Sequence, residues 1–264
     1  SLDGPKKVHD ANRHFSGGSH DSVISNIARL RSSGTRVNAL ATVTRTSLAY
    51  AEEIIDEYVK HGISEVHLRF LNKLGVAQER WDEIGYDAEE FLNFWKRGIK
   101  HILENRLVIR ERWASILLRK ILTDEPVGFA DLQSPCGAAV SQLAYSHDGS
   151  IYSCDEGRMC GSDVFRLGDV RMRYADIVRR PETKALVLSS INDGCLCSVC
   201  AYKPYCGLCP VCSYAEHGSI IPRSHTFRCK ILMGMFDHLF KILEHGGAGA
   251  EQLRCWVSPP NSSG

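Results

Sequence analysis

Between Cys195 and Cys229 the chain carries seven of its eleven cysteines, and this density constrains its fold more than any other feature. The stretch opens Cys-Leu-Cys-Ser-Val-Cys-Ala-Tyr-Lys-Pro-Tyr-Cys-Gly-Leu-Cys-Pro-Val-Cys, and Cys229 follows. Two residues separate Cys197 from Cys200, five separate Cys200 from Cys206, and Cys206, Cys209 and Cys212 follow at two-residue gaps. Thiols this dense are seldom packing residues; they serve as disulfide partners, zinc ligands or iron–sulfur ligands. Disulfides fit poorly: the cysteine count is odd, and neighbours one or two residues apart suit a single metal centre better than separate bridges. On spacing alone zinc and iron–sulfur both stand, since paired CxxC is also a zinc-ribbon sign.

The rest of the composition is that of an ordinary globular protein. The chain has 264 residues, 44% apolar and 24% charged, enough for one large domain or two smaller ones. A net charge of +1 gives no strong pull toward nucleic acid or acidic lipid. No apolar run approaches the roughly 18–20 residues of a membrane span, and the N-terminus lacks the apolar core of a secretory signal. The cytosol is therefore the default compartment, where thiols stay reduced. The chain starts without methionine, and Ser1-Leu2-Asp3 reads as the last step of a strand before the Gly4-Pro5 turn. The expectation is a fragment.

From residue 20 the pattern alternates helix and strand. Val23, Ile24, Ile27 and Leu30 form an apolar stripe that predicts a helix over 20–33. Residues 36–44 read as a buried parallel strand, 48–61 as a helix, and 65–72 as a second strand. A polar loop over 73–87 leads to a helix carrying Phe91, Trp95, Ile99 and Ile102, and another from about Arg110 to Leu122. Short links between these steps indicate parallel β/α units. Two strands alone make no stable sheet, so a further partner is expected upstream. Every cysteine lies after Pro126, which sets a boundary there: 1–125, then 126–245, then a loosely ordered tail over 246–264.

In the second part, Val140–Tyr145 and Ile151–Cys154 flank Ser146-His147-Asp148-Gly149 and predict a β-hairpin bracketed by Cys136 and Cys154. Residues 167–170 read as a short extended piece and 174–190 as one helix; another helix begins at Cys229.

These residues carry a resemblance. Cys136, twelve residues, Gly149, four residues, Cys154, then Cys197-x2-Cys200-x5-Cys206 and Cys229 resembles the SPASM domain that follows the core of many radical S-adenosylmethionine (SAM) enzymes. The first part, with Ser1–Pro5, His9-Asp10 and Arg13, looks like the segment leaving the fourth strand of a radical SAM partial barrel. The resemblance covers about residues 1–245. It implies a fragment of an α/β partial (β/α) barrel followed by a small cysteine-rich α+β SPASM domain. Cys154–Met159 and Pro204–Gly207 look most like maturases of His-Xaa-Ser peptide systems. The CxxxCxxC motif that holds the SAM-cleaving cluster in this family is absent from the chain.

The resemblance further implies one or two auxiliary [4Fe–4S] clusters. Cys197, Cys200, Cys206 and Cys229 would hold one. Cys136, Cys154 and one of Cys209 or Cys212 would hold the other, with Cys160 as a possible extra ligand and Cys195 and Cys255 as spare thiols. Asp155, which follows a cluster cysteine, would be a general base for the substrate radical, since a carboxylate beside a partly buried site has the raised pKa such a base needs; the plainer reading is a loop acid bonded to local amides or Arg158. Ser1 and Arg13 would contact the SAM carboxylate in the intact enzyme, or be solvated here. His67 and Arg69 would line the lumen or form a core pair. The function implied is that of the C-terminal portion of a peptide maturase, acting on a ribosomally made peptide, with a separately encoded N-terminal radical SAM half or a partner maturase as candidate partner. The alternative is an iron–sulfur or zinc module that recognises a peptide or partner without chemistry.

Overall fold

The computed structural model describes residues 1–13, 18–223 and 225–257. The chain divides into two compact units. The first comprises Ser1–Leu71, Asp82–Glu125 and Met233 onward; the second comprises Asn72–Trp81 and Pro126–Leu232. The division falls inside the helix Phe227–His245, so residues after 232 count with the first unit.

In the first unit, β1 (Ala41–Thr42) pairs in parallel with β3 (Leu68–Arg69), and β2 (Glu65–Val66) pairs in parallel with β4 (Arg110–Glu111). The segment 65–69 therefore has a parallel neighbour on each side. The Leu2 amide donates to the Leu40 carbonyl, which sets the first residues beside the β1 segment. Helices Ala51–Lys60 and Ala88–Glu104 bury Ile54, Ile55, Tyr58, Phe91, Trp95, Ile99 and Ile102 as their periodicity requires. Asp87 caps the longer helix, accepting from the Glu90 amide while Glu90 reaches back to the Asp87 amide.

Several expectations need correction. The strand over 36–44 shortens to Ala41–Thr42 in its regular ladder, with Leu40 and Val43 bonded on either side. Arg110 does not start a helix. It belongs to β4, and the helix Arg112–Leu122 starts later because Glu111 caps it by accepting from the Ala114 amide. The stripe on helix His20–Ser32 is buried only at Ile27, and Leu30 is exposed. The loop over 73–87 contains helical turns at Val76–Glu79 and Trp81–Ile84. The tail is not loose from Gly246 on: Gly247–Cys255 is a helix that buries Ala250 and Leu253, and Trp256 is buried just after it. Positive φ at Gly246 and Gly247 makes the break between the two helices, which is why these glycines read as disorder. The tail beyond Val257 lies outside the described residues.

In the second unit, β5 (Ala144–Tyr145), β6 (Ser150–Tyr152) and β7 (Arg166–Asp169) form an antiparallel sheet, with Gly149 at φ 84° in the hairpin turn. Residues 174–190 are two helices, Tyr174–Arg179 and Pro181–Ser189, because Pro181 removes a helical donor and starts a new first turn. Cys136 and Cys154 are part of the buried core here, with Leu74, Ile151, Phe165, Leu167 and Val211.

Candidate metal centre

The cysteines of the second unit are held by short-range capping and by long-range clamps. Cys154 caps the helix Asp155–Cys160, its Sγ accepting from the Gly157 amide at 3.3 Å. Cys209 caps Pro210–His217 in the same way, accepting from the Cys212 amide at 3.5 Å. The Cys136 amide donates to Ser190 Oγ at 2.9 Å. Asn192 ties the cysteine loop down: its Nδ2 donates to the Lys203 carbonyl at 3.0 Å and the Cys206 carbonyl at 3.3 Å, and its Oδ1 accepts from Ser134 at 2.9 Å. Gly207 lets the loop approach closely, since a Cβ there would stand 2.5 Å from the Asp131 carbonyl oxygen and 2.8 Å from Leu132 Cα. Sequence reasoning missed Ser134, Ser190 and Asn192; lone polar residues carry no periodic signal.

Burial dominates the electrostatics of the thiols. Burial pushes Cys136 and Cys154 up to about 12, and both also sit in the field of Cys209. Cys209 and Cys212 share a hydrogen bond that lowers the first and raises the second. Burial likewise pushes Cys206 up to about 11, and Cys229, Cys197 and Cys200 act on it. Cys209 thus acts on Cys136 and Cys154, and Cys229, Cys197 and Cys200 act on Cys206. Among the described residues, no three His, Cys, Asp or Glu side chains close on one point as a metal site. The match to a thiolate-bound metal group is therefore one of donor type, number and neighbourhood: four soft donors in each set, as zinc and iron–sulfur clusters both take. Cys160 also packs against the core that holds Cys136 and Cys154, its thiol raised by burial and acted on by the Ser162 amide. Cys255 is exposed, and the Cys195 side chain lies outside the described residues.

A cation joins the two groups. Arg228 is 6% exposed, with Nη2 2.9 Å from Asp131 Oδ2 and donating to the Asp131 carbonyl at 3.3 Å. Burial works against its charge, but Asp131 and the thiols of Cys212, Cys209 and Cys206 outweigh that and raise its pKa.

The other expected residues are placed differently. The Asp155 side chain is 66% exposed and pairs with Arg158 at 2.7 Å, so the burial on which a general-base role rested is missing. Arg13 neither floats in solvent nor points free: its Nε donates to Asp3 Oδ2 at 2.7 Å, its Nη2 to Oδ1 at 3.1 Å, and Asp3 raises its pKa. Asp3 is fully buried and also accepts from the Thr42 amide at 2.9 Å, so this pair stitches the N-terminal segment to β1. Ser1 is exposed. His67 is buried edge-on to Trp113, and its Nε2 has no hydrogen-bond partner among the described residues; burial, then Arg69, lower it to about 4. A satisfied core pair of His67 and Arg69 is thus not what the structure holds.

No family model matches the chain. It is similar to a cysteine-type anaerobic sulfatase-maturating enzyme of Clostridium perfringens (strain 13 / Type A), 25% identical over 254 residues, covering 92% of this chain. This chain spans 65% of that relative's length. Among solved structures it resembles native anSMEcpe with bound AdoMet (TM-score 0.70, 18% identity, 92% of this chain and 66% of that one). It also resembles native anSMEcpe with bound AdoMet and Cp18Cys peptide (TM-score 0.73, 20% identity, 92% and 67%). The chain shares the fold of those structures over nearly its whole length.

Proposed function

We propose that the chain is the C-terminal portion of a radical SAM/SPASM peptide maturase, with Cys197, Cys200, Cys206 and Cys229 holding one auxiliary [4Fe–4S] cluster and Cys136, Cys154, Cys209 and Cys212 holding a second. The observation that carries this reading is that Cys136 and Cys154 share one buried core with Cys209 packed against it, while Asn192 clamps the loop that carries Cys206, along the lines the SPASM resemblance implies. The likeness to an AdoMet- and peptide-binding maturating enzyme supports the substrate class. Cys209 packs against the core that holds Cys136 and Cys154, which favours it as their third ligand, with Cys212 beside it as the fourth. The finer assignment, to the His-Xaa-Ser maturases, rests on Cys154–Met159 and Pro204–Gly207 alone.

When bound, clusters of this kind accept and pass single electrons. The chain's own residues would bury them, fix their ligands through Asn192, Ser190 and the two capped helices, and supply a balancing cation. Anaerobic purification followed by iron, sulfide and zinc assays tests the reading. Cys200→Ala and Cys154→Ala should each lose one cluster's worth of iron and sulfide, and Cys160→Ala none. A colourless chain with zinc and no sulfide replaces the reading with the zinc recognition module. Unchanged iron in Cys200→Ala refutes the ligand set.

A further inference from the structure

Arg228 is a buried cation that the cysteine pattern does not call for. It lies one residue before Cys229 on the helix Phe227–His245, and Asp131 receives it through both its carboxylate and its carbonyl. That carbonyl is the atom against which Gly207 packs, between Cys206 and Cys209. The loop carrying Cys206 and Cys209 therefore runs over the Asp131–Arg228 pair, and the pair belongs to both cysteine neighbourhoods. Its field reaches Cys206 of one set and Cys136, Cys209 and Cys212 of the other.

We propose that Arg228 is the shared charge-balancing residue of the two cysteine sets, held by Asp131 under the Cys206–Cys209 loop so that its guanidinium offsets the negative charge each set gathers on binding metal. The inference deepens the function proposed above and rests on it. Four thiolates around one divalent ion leave a net charge of about −2. Two such groups in one small unit repel each other and carry a desolvation penalty. A cation buried beside both lowers that cost for each, whereas Asp131 alone would raise it. Arg228 and Asp131 thus act on the thiolates with opposite signs, although each supports the other's position. That opposition separates an electrostatic role from a scaffolding one.

The test titrates the anaerobic, metal-free 264-residue chain with Co²⁺, reading thiolate-to-cobalt absorption. Arg228→Gln should weaken cobalt binding at least about tenfold, a floor well under the coupling of two close charges at an effective dielectric near 20. Asp131→Asn should leave binding unchanged or tighter. Wild-type affinity in Arg228→Gln overturns the proposal, and so does an equal loss in both variants, which would make the pair scaffold. Should Arg228→Gln fail to fold by circular dichroism, Asp131→Asn decides alone: weaker binding overturns the proposal, and equal or tighter binding supports it. A wild-type chain that binds cobalt without thiolate absorption instead overturns the metal-site reading itself.

Discussion

Glu111 shows how much one side chain can decide. It ends β4, caps the next helix, and is fully buried. Its Oε2 accepts from the Ala114 amide at 2.7 Å and from Trp95 Nε1 at 3.0 Å, and its Oε1 accepts from the Leu68 amide at 3.2 Å. One carboxyl group thus joins two helices and a strand. Burial pushes its pKa up to about 7, and those donors pull it back only in part. The fold therefore binds a proton at Glu111 that the unfolded chain releases near pH 4.5. The stabilisation is complete below pH 4.5 and is lost as pH rises through about 7. The unfolding free energy read from urea titrations should accordingly fall across that window, with a slope of up to about 1.4 kcal/mol per pH unit from this group. Glu111→Gln should flatten that slope while lowering stability at every pH, since an amide NH₂ must face donors. An unchanged slope in the variant would remove Glu111 as its source.

At the level of elements, the corrected tail carries a prediction. The helix Gly247–Cys255 is seated in the first unit by Leu253, fully buried, and by Trp256, 7% exposed. Gln252 Nε2 donates to the Leu107 carbonyl at 3.1 Å. Trp256→Ala should cost about 3 kcal/mol by lost burial and the cavity left behind, read as a lower Tm; a Tm within error of wild type would mean the tail contributes no packing. The long helices were legible because Phe91, Trp95, Ile99 and Ile102 repeat at helical spacing over successive turns. β4 was not, because so short a strand has no period, and Arg110 looks like the polar start of the helix behind it. The tail was misread because Gly246, Gly247 and Gly249 match the composition of a loose segment, while Ala250, Leu253 and Trp256, which bury it, are too sparse to form a stripe. The cysteines were legible from spacing, since their chemistry groups them. Arg228 and Asn192 were not, because each also meets a residue far away in sequence, Asp131 at 97 residues and Ser134 at 58, which only the fold brings near.

Taken as a whole, the molecule has one unit in which a parallel strand segment is clad by helices and another that gathers every cysteine except Cys255. Its cysteine gaps nowhere follow the four-then-three step of CxxxCxxC, so no three thiols of this chain match the family pattern that leaves one iron of a cluster open to SAM. Both four-thiol sets would occupy every iron of a cubane with protein sulfur. A cluster closed in this way has no position for an amino and carboxylate chelate. Arg13, expected to contact the SAM carboxylate, is also committed elsewhere: it is tied to Asp3, and Asp3 to the Thr42 amide. The chain loaded with iron and sulfide, given AdoMet and dithionite, should therefore form no 5′-deoxyadenosine above a protein-free control, while still showing the spectrum of a reduced cluster. Turnover of AdoMet by this chain alone would mean that one of the two thiol sets keeps an open iron, and the four-ligand assignment of that set would have to be withdrawn.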